Sequence, residues 1–167
     1  MQDVYSIGRV ISIDCGTAIV GWAVLERIDG KLVHIASDAI LTSKKDDMPL
    51  RLKYIFEELQ KLIERFAPDA MAIEDIFYFK NQKTVISVSQ ARGAIILSGI
   101  LKGLEIYNYT PLQVKSAVTG YGRAEKKQVA SMVGKILNLK IVPKLDDITD
   151  AIALGICHLN TRNVSKN

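Results

Sequence analysis

Cysteine is scarce in this chain, with only Cys15 and Cys157 among 167 residues. They lie far apart and form neither a CxxC pair nor a metal-ligand spacing, so the sequence offers no disulfide framework and no thiolate zinc site. Two reduced thiols packed as small apolar residues in a cytoplasmic protein is the expectation. Long apolar runs are missing too. No stretch approaches the ~20 residues that a membrane span needs. Residues 1–7 show no basic start followed by an apolar segment, as a signal peptide would. There is no repeat, no low-complexity segment and no interdomain linker. Neither sign of charge dominates: 22 Lys and Arg stand against 18 Asp and Glu, a net charge of +4. Many proteins with no nucleic-acid role match that excess. What is present is a 49% apolar composition, enough for one good core. One domain over residues 1–167, with a frayed polar tail from about 161, is expected.

The distribution of charge says more than its sum. Basic residues gather at Lys44 and Lys45, Lys80 to Lys83, Arg123 to Lys127 and Arg162 to Lys166. Acids gather around Asp14, Glu74 and Asp75, and Asp146 to Asp150. An acidic centre ringed by basic segments suits a polyanion drawn to a metal-filled site.

The order of elements is α/β. Residues 9–14 (RVISID) form a β-branched run that ends on an acid and read as the first strand. A second strand is expected at 20–26, joined through the hairpin signal Asp29-Gly30 to a third from 31 to about 41. Leu52, Ile55, Phe56, Leu59, Ile63 and Phe66 recur at helical spacing, and Pro68 ends that helix. Residues 70–74 (AMAIE) read as a short buried strand, and 104–109 as a fifth. Between them runs a long helix, about 83–102, with a small-residue stripe of Ser87, Ala91, Ala94 and Ser98. Thr110-Pro111 is a helix start with the right chemistry, a hydroxyl cap and then proline where no N–H is needed. Helices at 111–118 and 125–137, linked by Gly120-Tyr121-Gly122, precede a last helix at about 147–159.

The candidate chemistry lies in where the acids fall. Asp14 closes the first strand and Glu74 the fourth, each after an apolar run, and ligands of open α/β sheets bind at the carboxyl ends of strands. Asp147 and Asp150 are three apart at the head of a helix and share one face. Asp75 is expected on the opposite face from Glu74, as a solvated neighbour. If the helix packs beside the strand ends, all four carboxylates converge. Two bare carboxylates ~4 Å apart repel by roughly 4 kcal/mol at an effective dielectric of 20, so the cluster needs cations or protons. Oxygen ligands without Cys or His favour Mg²⁺ or Mn²⁺ over zinc, and two such ions suit in-line attack of water on a phosphodiester. The plainer alternative is that the helix-starting acids are only caps or dipole partners.

The ordered segments IDCGTAIVGWAVLE, RLKYIFEEL, AIEDIFYFKN, QARGAI, QVKSAVTGYGRAEKKQV and DDITDAIALGICH resemble the RuvC family of Holliday-junction resolvases. They cover residues from about 9 to about 158. The resemblance implies a ribonuclease H-like fold: a five-stranded mixed sheet, three strands antiparallel and then two parallel, flanked by helices. It implies that Asp14, Glu74, Asp147 and Asp150 hold two Mg²⁺ ions, with Mn²⁺ able to substitute. Lys115 and Lys126 match the family's basic residues near the scissile phosphate. Phe77 matches an aromatic that stacks on an unpaired base, and Lys80, Arg123 and Lys127 become candidate phosphate contacts. The implied activity is paired, symmetric nicking of two opposed strands of a four-way junction, leaving 5′-phosphate and 3′-hydroxyl ends. A homodimer and cooperation with the branch-migration proteins RuvA and RuvB are implied as well. The small-residue stripe fits either close helix approach across such a dimer or burial within one chain.

Cys15 departs from the family pattern, which usually has proline after the first acid. The resulting Asp-Cys-Gly-Thr also resembles the phosphate loop of actin-like and sugar-kinase ATPases, but those need two copies of the fold and lack the downstream acids. A shorter ribonuclease H-like relative, the YqgF type linked to ribosomal RNA processing, fits the length and the long helix less well. A junction-binding module without chemistry is the remaining alternative.

Overall fold

The computed structural model describes residues 6–75 and 84–164; Phe77 and Lys80 lie outside the described residues. Five strands, β1 (Ser6–Asp14), β2 (Ile19–Ile28), β3 (Lys31–Leu41), β4 (Ala70–Glu74) and β5 (Glu105–Tyr109), form one sheet in the order β3-β2-β1-β4-β5. The first three pair antiparallel, and β4 and β5 add in parallel. The turn between β2 and β3 holds Asp29 and Gly30 at φ of 49° and 77°. Positive φ at both central positions matches the twist of the flanking strands, which is why Asp-Gly reads as a hairpin.

The alternation of side chains along β1 and β4 divides the core in two. Ile11, Ile13, Met71 and Ile73 face α1 (Met48–Phe66) and α2 (Val85–Ile100), packing with Ile55, Leu59, Ala91 and Ile95. Val10 and Ala72 face the other way, into a cluster with α3 (Pro111–Thr119), α4 (Lys126–Ile136) and α5 (Asp146–Val164). Caps set the helix starts. Asp47 accepts from the Leu50 N–H at the head of α1, and Thr110 and Gln113 close a reciprocal capping box on α3. The last helix continues to Val164, past the point at which a frayed tail was expected. Among the described residues no helix is long and apolar enough to cross a membrane.

Two glycines and a serine bring α5 against the sheet. A Cβ on Gly155 would meet Leu25 Cδ1 at 2.8 Å and Ser12 Oγ at 2.9 Å. The Ser12 hydroxyl donates to the Ala151 carbonyl at 2.6 Å, joining β1 to the middle of α5. At the head of the helix, a Cβ on Gly21 would lie 2.0 Å from the Asp147 carbonyl oxygen. Only a residue without a side chain lets β2 and the first turn of α5 come this close.

Of the small-residue stripe of α2, Ala91 and Ser98 turn inward, while Ser87 and Ala94 are half-buried. Ala91, Ser98 and Gly99 are buried within the chain, and Gln60 donates to the Ser98 carbonyl at 2.7 Å across the α1–α2 contact. The outward face carries Ile86, Gly93, Leu97 and Ile100, with open space around Gly93. A helix has one such small-residue stripe to spend, and here it serves the packing of α2 on the sheet.

Candidate active site

Asp14 is the last residue of β1 and Glu74 the last of β4. Both continue the alternation that sends Val10 and Ala72 toward α5. The register makes Gly21 the partner of Asp14, and Gly21 is where the backbone of Asp147 touches the sheet. The first turn of α5 is thereby held over the end of β1, and Asp147 and Asp150 come with it.

Electrostatics report the convergence. The Asp14 carboxyl is pushed up from 3.8 to about 8, first by burial and then by Asp150, Glu74 and Asp147, while Lys126 works in the opposite direction. Asp150 is also raised, chiefly by burial, with Lys126 again opposing. The other three expected acids therefore all act on Asp14, in a site where a carboxylate is costly to keep charged without a cation. Among the described residues no three Asp, Glu, His or Cys side chains are already gathered into a ligand set. Hard oxygen donors, like charge and burial are the properties a divalent-cation site requires, and they fit.

Lys126, the first residue of α4, reaches across to α5, with Nζ 3.2 Å from Asp146 Oδ2 and 3.6 Å from Asp150 Oδ2. Those pairs raise its own affinity for the proton, so it stays charged. Its side chain is 66% exposed and open to an arriving polyanion. Lys126→Ala is expected to slow cutting roughly tenfold at saturating junction, the lower end of what a preorganised charge supplies because this one is solvated. An unchanged rate at saturation removes the lysine from the mechanism.

Lys115 lies half-buried on α3, the helix that follows β5, and makes no ion pair among the described residues. Arg123 and Lys127 are exposed at the start of α4. Lys127 lines a cleft of about 420 Å³ with Thr119, Tyr121, Gln128, Ser131 and Met132. Asp75 differs from expectation. It does face away from Glu74, yet it is not simply solvated: Arg92 of α2 stands 3.4 Å away. Sequence reasoning also missed Asp146 as a partner of Lys126. Its place in the acidic run Asp146 to Asp150 was the available signal.

A five-stranded sheet in this order, with acids at the ends of its two central strands and a helix-borne acid pair above them, defines a protein of the ribonuclease H-like class. A family model described as "Crossover junction endodeoxyribonuclease RuvC" matches residues 10–158. The chain is 49% identical to a crossover junction endodeoxyribonuclease RuvC of Fusobacterium nucleatum subsp. nucleatum, over 92% of this chain and 80% of that one. It is 48% identical to that of Syntrophomonas wolfei, over 94% and 91% of the two chains. Among solved structures, RuvC of Thermus thermophilus in complex with Holliday junction substrate superposes with a TM-score of 0.88 at 30% identity, covering 95% of this chain and 96% of that one. The chain belongs to the RuvC family of crossover junction endodeoxyribonucleases.

Proposed function

We propose that the protein is a structure-specific endonuclease that resolves Holliday junctions by paired, symmetric nicking of two opposed strands in recombination and repair. The observation that carries this reading is the placement of Asp14 and Glu74 at adjacent strand ends beneath the first turn of α5, which bears Asp147 and Asp150 and touches Gly21, the register partner of Asp14. The family membership supports the same substrate. Asp14, Glu74, Asp147 and Asp150 would hold two Mg²⁺ ions, with Mn²⁺ substituting, since four carboxylates carry the charge that two divalent cations neutralise. A divalent cation bound there supplies Lewis-acid charge to the phosphodiester and eases deprotonation of water.

The chain's own groups do the rest. Asp14 would hold a cation as its carboxylate, so cation binding there would be linked to loss of its proton to solvent. Lys126 keeps a positive charge beside Asp150, where it balances the acids and meets the negative charge growing on the phosphoryl oxygens. Lys115 approaches the same phosphate from α3. Arg123 and Lys127 bind the backbone of an adjoining arm, Lys80 is a further phosphate contact, and Phe77 stacks on an unpaired base near the crossover. Hydrolysis leaves a 5′-phosphate and a 3′-hydroxyl, ends that a ligase seals. RuvA and RuvB would present the junction.

Two equivalent strands call for two sites on a two-fold axis, so the working unit is a homodimer. The outward face of α2 supports this, because Leu97 and Ile100 are 51% and 55% exposed and follow Gly93 at helical spacing. Leu97→Asp combined with Ile100→Asp is expected to leave the fold intact and shift the chain to monomer by analytical ultracentrifugation, with paired cuts becoming single nicks. A double variant that remains dimeric rules out this face.

The function itself is tested by nicking of a synthetic four-way junction against matched linear duplex, with Mg²⁺ and with EDTA. Metal-dependent symmetric nicks on the junction alone are expected. A junction that is bound but never cut in Mg²⁺ or Mn²⁺ makes the chain a binding module, and preferential cutting of structured RNA replaces the proposed substrate.

A further inference from the structure

We infer that Arg92 is a positioning residue for Glu74, acting on the strand end from the far face of the sheet. The inference rests on the reading of the four acids as a metal site. Arg92 lies on α2, one residue after the buried Ala91, so its side chain runs along the face where Ile73 and Ile13 pack. At the end of that face its Nη2 donates to Asn108 Oδ1 at 2.5 Å and to Asp75 Oδ1 at 3.4 Å.

These two acceptors bracket Glu74. Asn108 is the register partner of Ile73, the residue before Glu74, and Asp75 is the residue after it. The Asp75 N–H also donates to the Tyr109 carbonyl at 2.9 Å, and Tyr109 is the register partner of Glu74 itself. One guanidinium nitrogen therefore ties the last step of β4 to β5, where the ladder is about to end and a strand frays most easily. With Asp75 held on one face, alternation holds Glu74 on the other, toward Asp14.

Arg92 is poorly served as a mere stabiliser of the sheet. Its side chain is only 21% exposed, and among the described residues its Nε is buried without an acceptor. Arg92, Asp75 and Asn108 thus back the strand end that carries Glu74.

The consequence is a specific link between Arg92 and cation affinity. In the full-length chain without DNA, Mn²⁺ titrated calorimetrically is expected to bind Arg92→Gln 10- to 100-fold more weakly than the parent, the usual effect of losing a group that orients a ligand. Arg92→Lys, which keeps the charge but cannot reach both acceptors from one plane, recovers part of that loss. Asp75→Ala, which removes the acceptor at a partly exposed position, reproduces the weakening and adds little when combined with Arg92→Gln, because both cut one linkage. Junction affinity in EDTA stays unchanged in all of them. A parent chain that takes up no Mn²⁺ overturns the metal-site reading and this inference with it. A parent that binds Mn²⁺, with Arg92→Gln and Asp75→Ala binding it equally well, overturns the inference alone.

Discussion

Asp14→Asn is expected to reduce junction cutting by on the order of a thousandfold, since a ligand worth several kcal/mol in the transition state is lost at tenfold per 1.36 kcal/mol. Junction binding in EDTA is expected to survive, because phosphate contacts from Arg123, Lys127 and their neighbours do not depend on the acids. The same substitution should make the metal-free protein more stable at pH 8. In the folded chain Asp14 holds its proton up to about 8, against an ordinary value of 3.8. Between those two values the folded state binds a proton that the unfolded state has released. Stability from this group is therefore fully present below about pH 4 and is lost as pH rises toward 8. Asparagine fills the place without titrating, so the two proteins should match near pH 4 and diverge by a few kcal/mol by pH 8. The titration belongs to the coupled cluster rather than to Asp14 alone, which broadens the transition without reversing its sign.

A divalent cation should close that gap in the parent chain and not in the variant. Urea unfolding at pH 4 and pH 8, with and without Mg²⁺, reads all four conditions. Cutting that persists in Asp14→Asn defeats the assignment of the acid. Equal stabilities at pH 8 defeat the account of its burial. Loss of cutting with gain of stability is what a functional site held under electrostatic strain produces.

Gly21→Ala is expected to cost about 3 kcal/mol of folding stability, the upper part of the range for overpacking, because its obstacle is backbone. The new methyl would stand 2.0 Å from the Asp147 carbonyl oxygen and 3.0 Å from the Ile148 nitrogen. A flexible side chain could move aside; the head of α5 is tied by the Ser12–Ala151 bond and by Gly155 against Leu25. If the chain survives, the first turn of α5 must lift from the sheet and take Asp147 and Asp150 with it. Cutting should then fall much further than junction binding. A Gly21→Ala protein with parental stability and full activity would show that the approach of α5 to β2 does not set the site.

Local chemistry makes much of this molecule legible in its sequence. Alternation along residues 9–14 and 70–74 places Asp14 and Glu74 at strand ends, and those ends are found at β1 and β4. Asp29-Gly30 and Thr110-Pro111 announce a hairpin and a helix start within two residues each, and both are present. The ordered family segments add the sheet order, which no single motif carries.

What the sequence by itself determined were properties written within a few residues: the period of burial, the caps, the turns, and the parity that sends Asp14 and Glu74 to one face. Only the tertiary structure decided which distant groups meet. Gly21 touches Asp147 and Ser12 bonds Ala151 because α5 lies across the sheet, not because of any spacing between them. The same holds for α2, which turns Ala91, Ile95 and Ser98 inward and leaves Ile86, Leu97 and Ile100 exposed. Arg92 finds Asp75 and Asn108 only after β4 and β5 have paired. The physical reason is that a turn or a cap is stabilised by its own neighbours. A contact between elements far apart in the chain exists only once packing has fixed where each backbone runs.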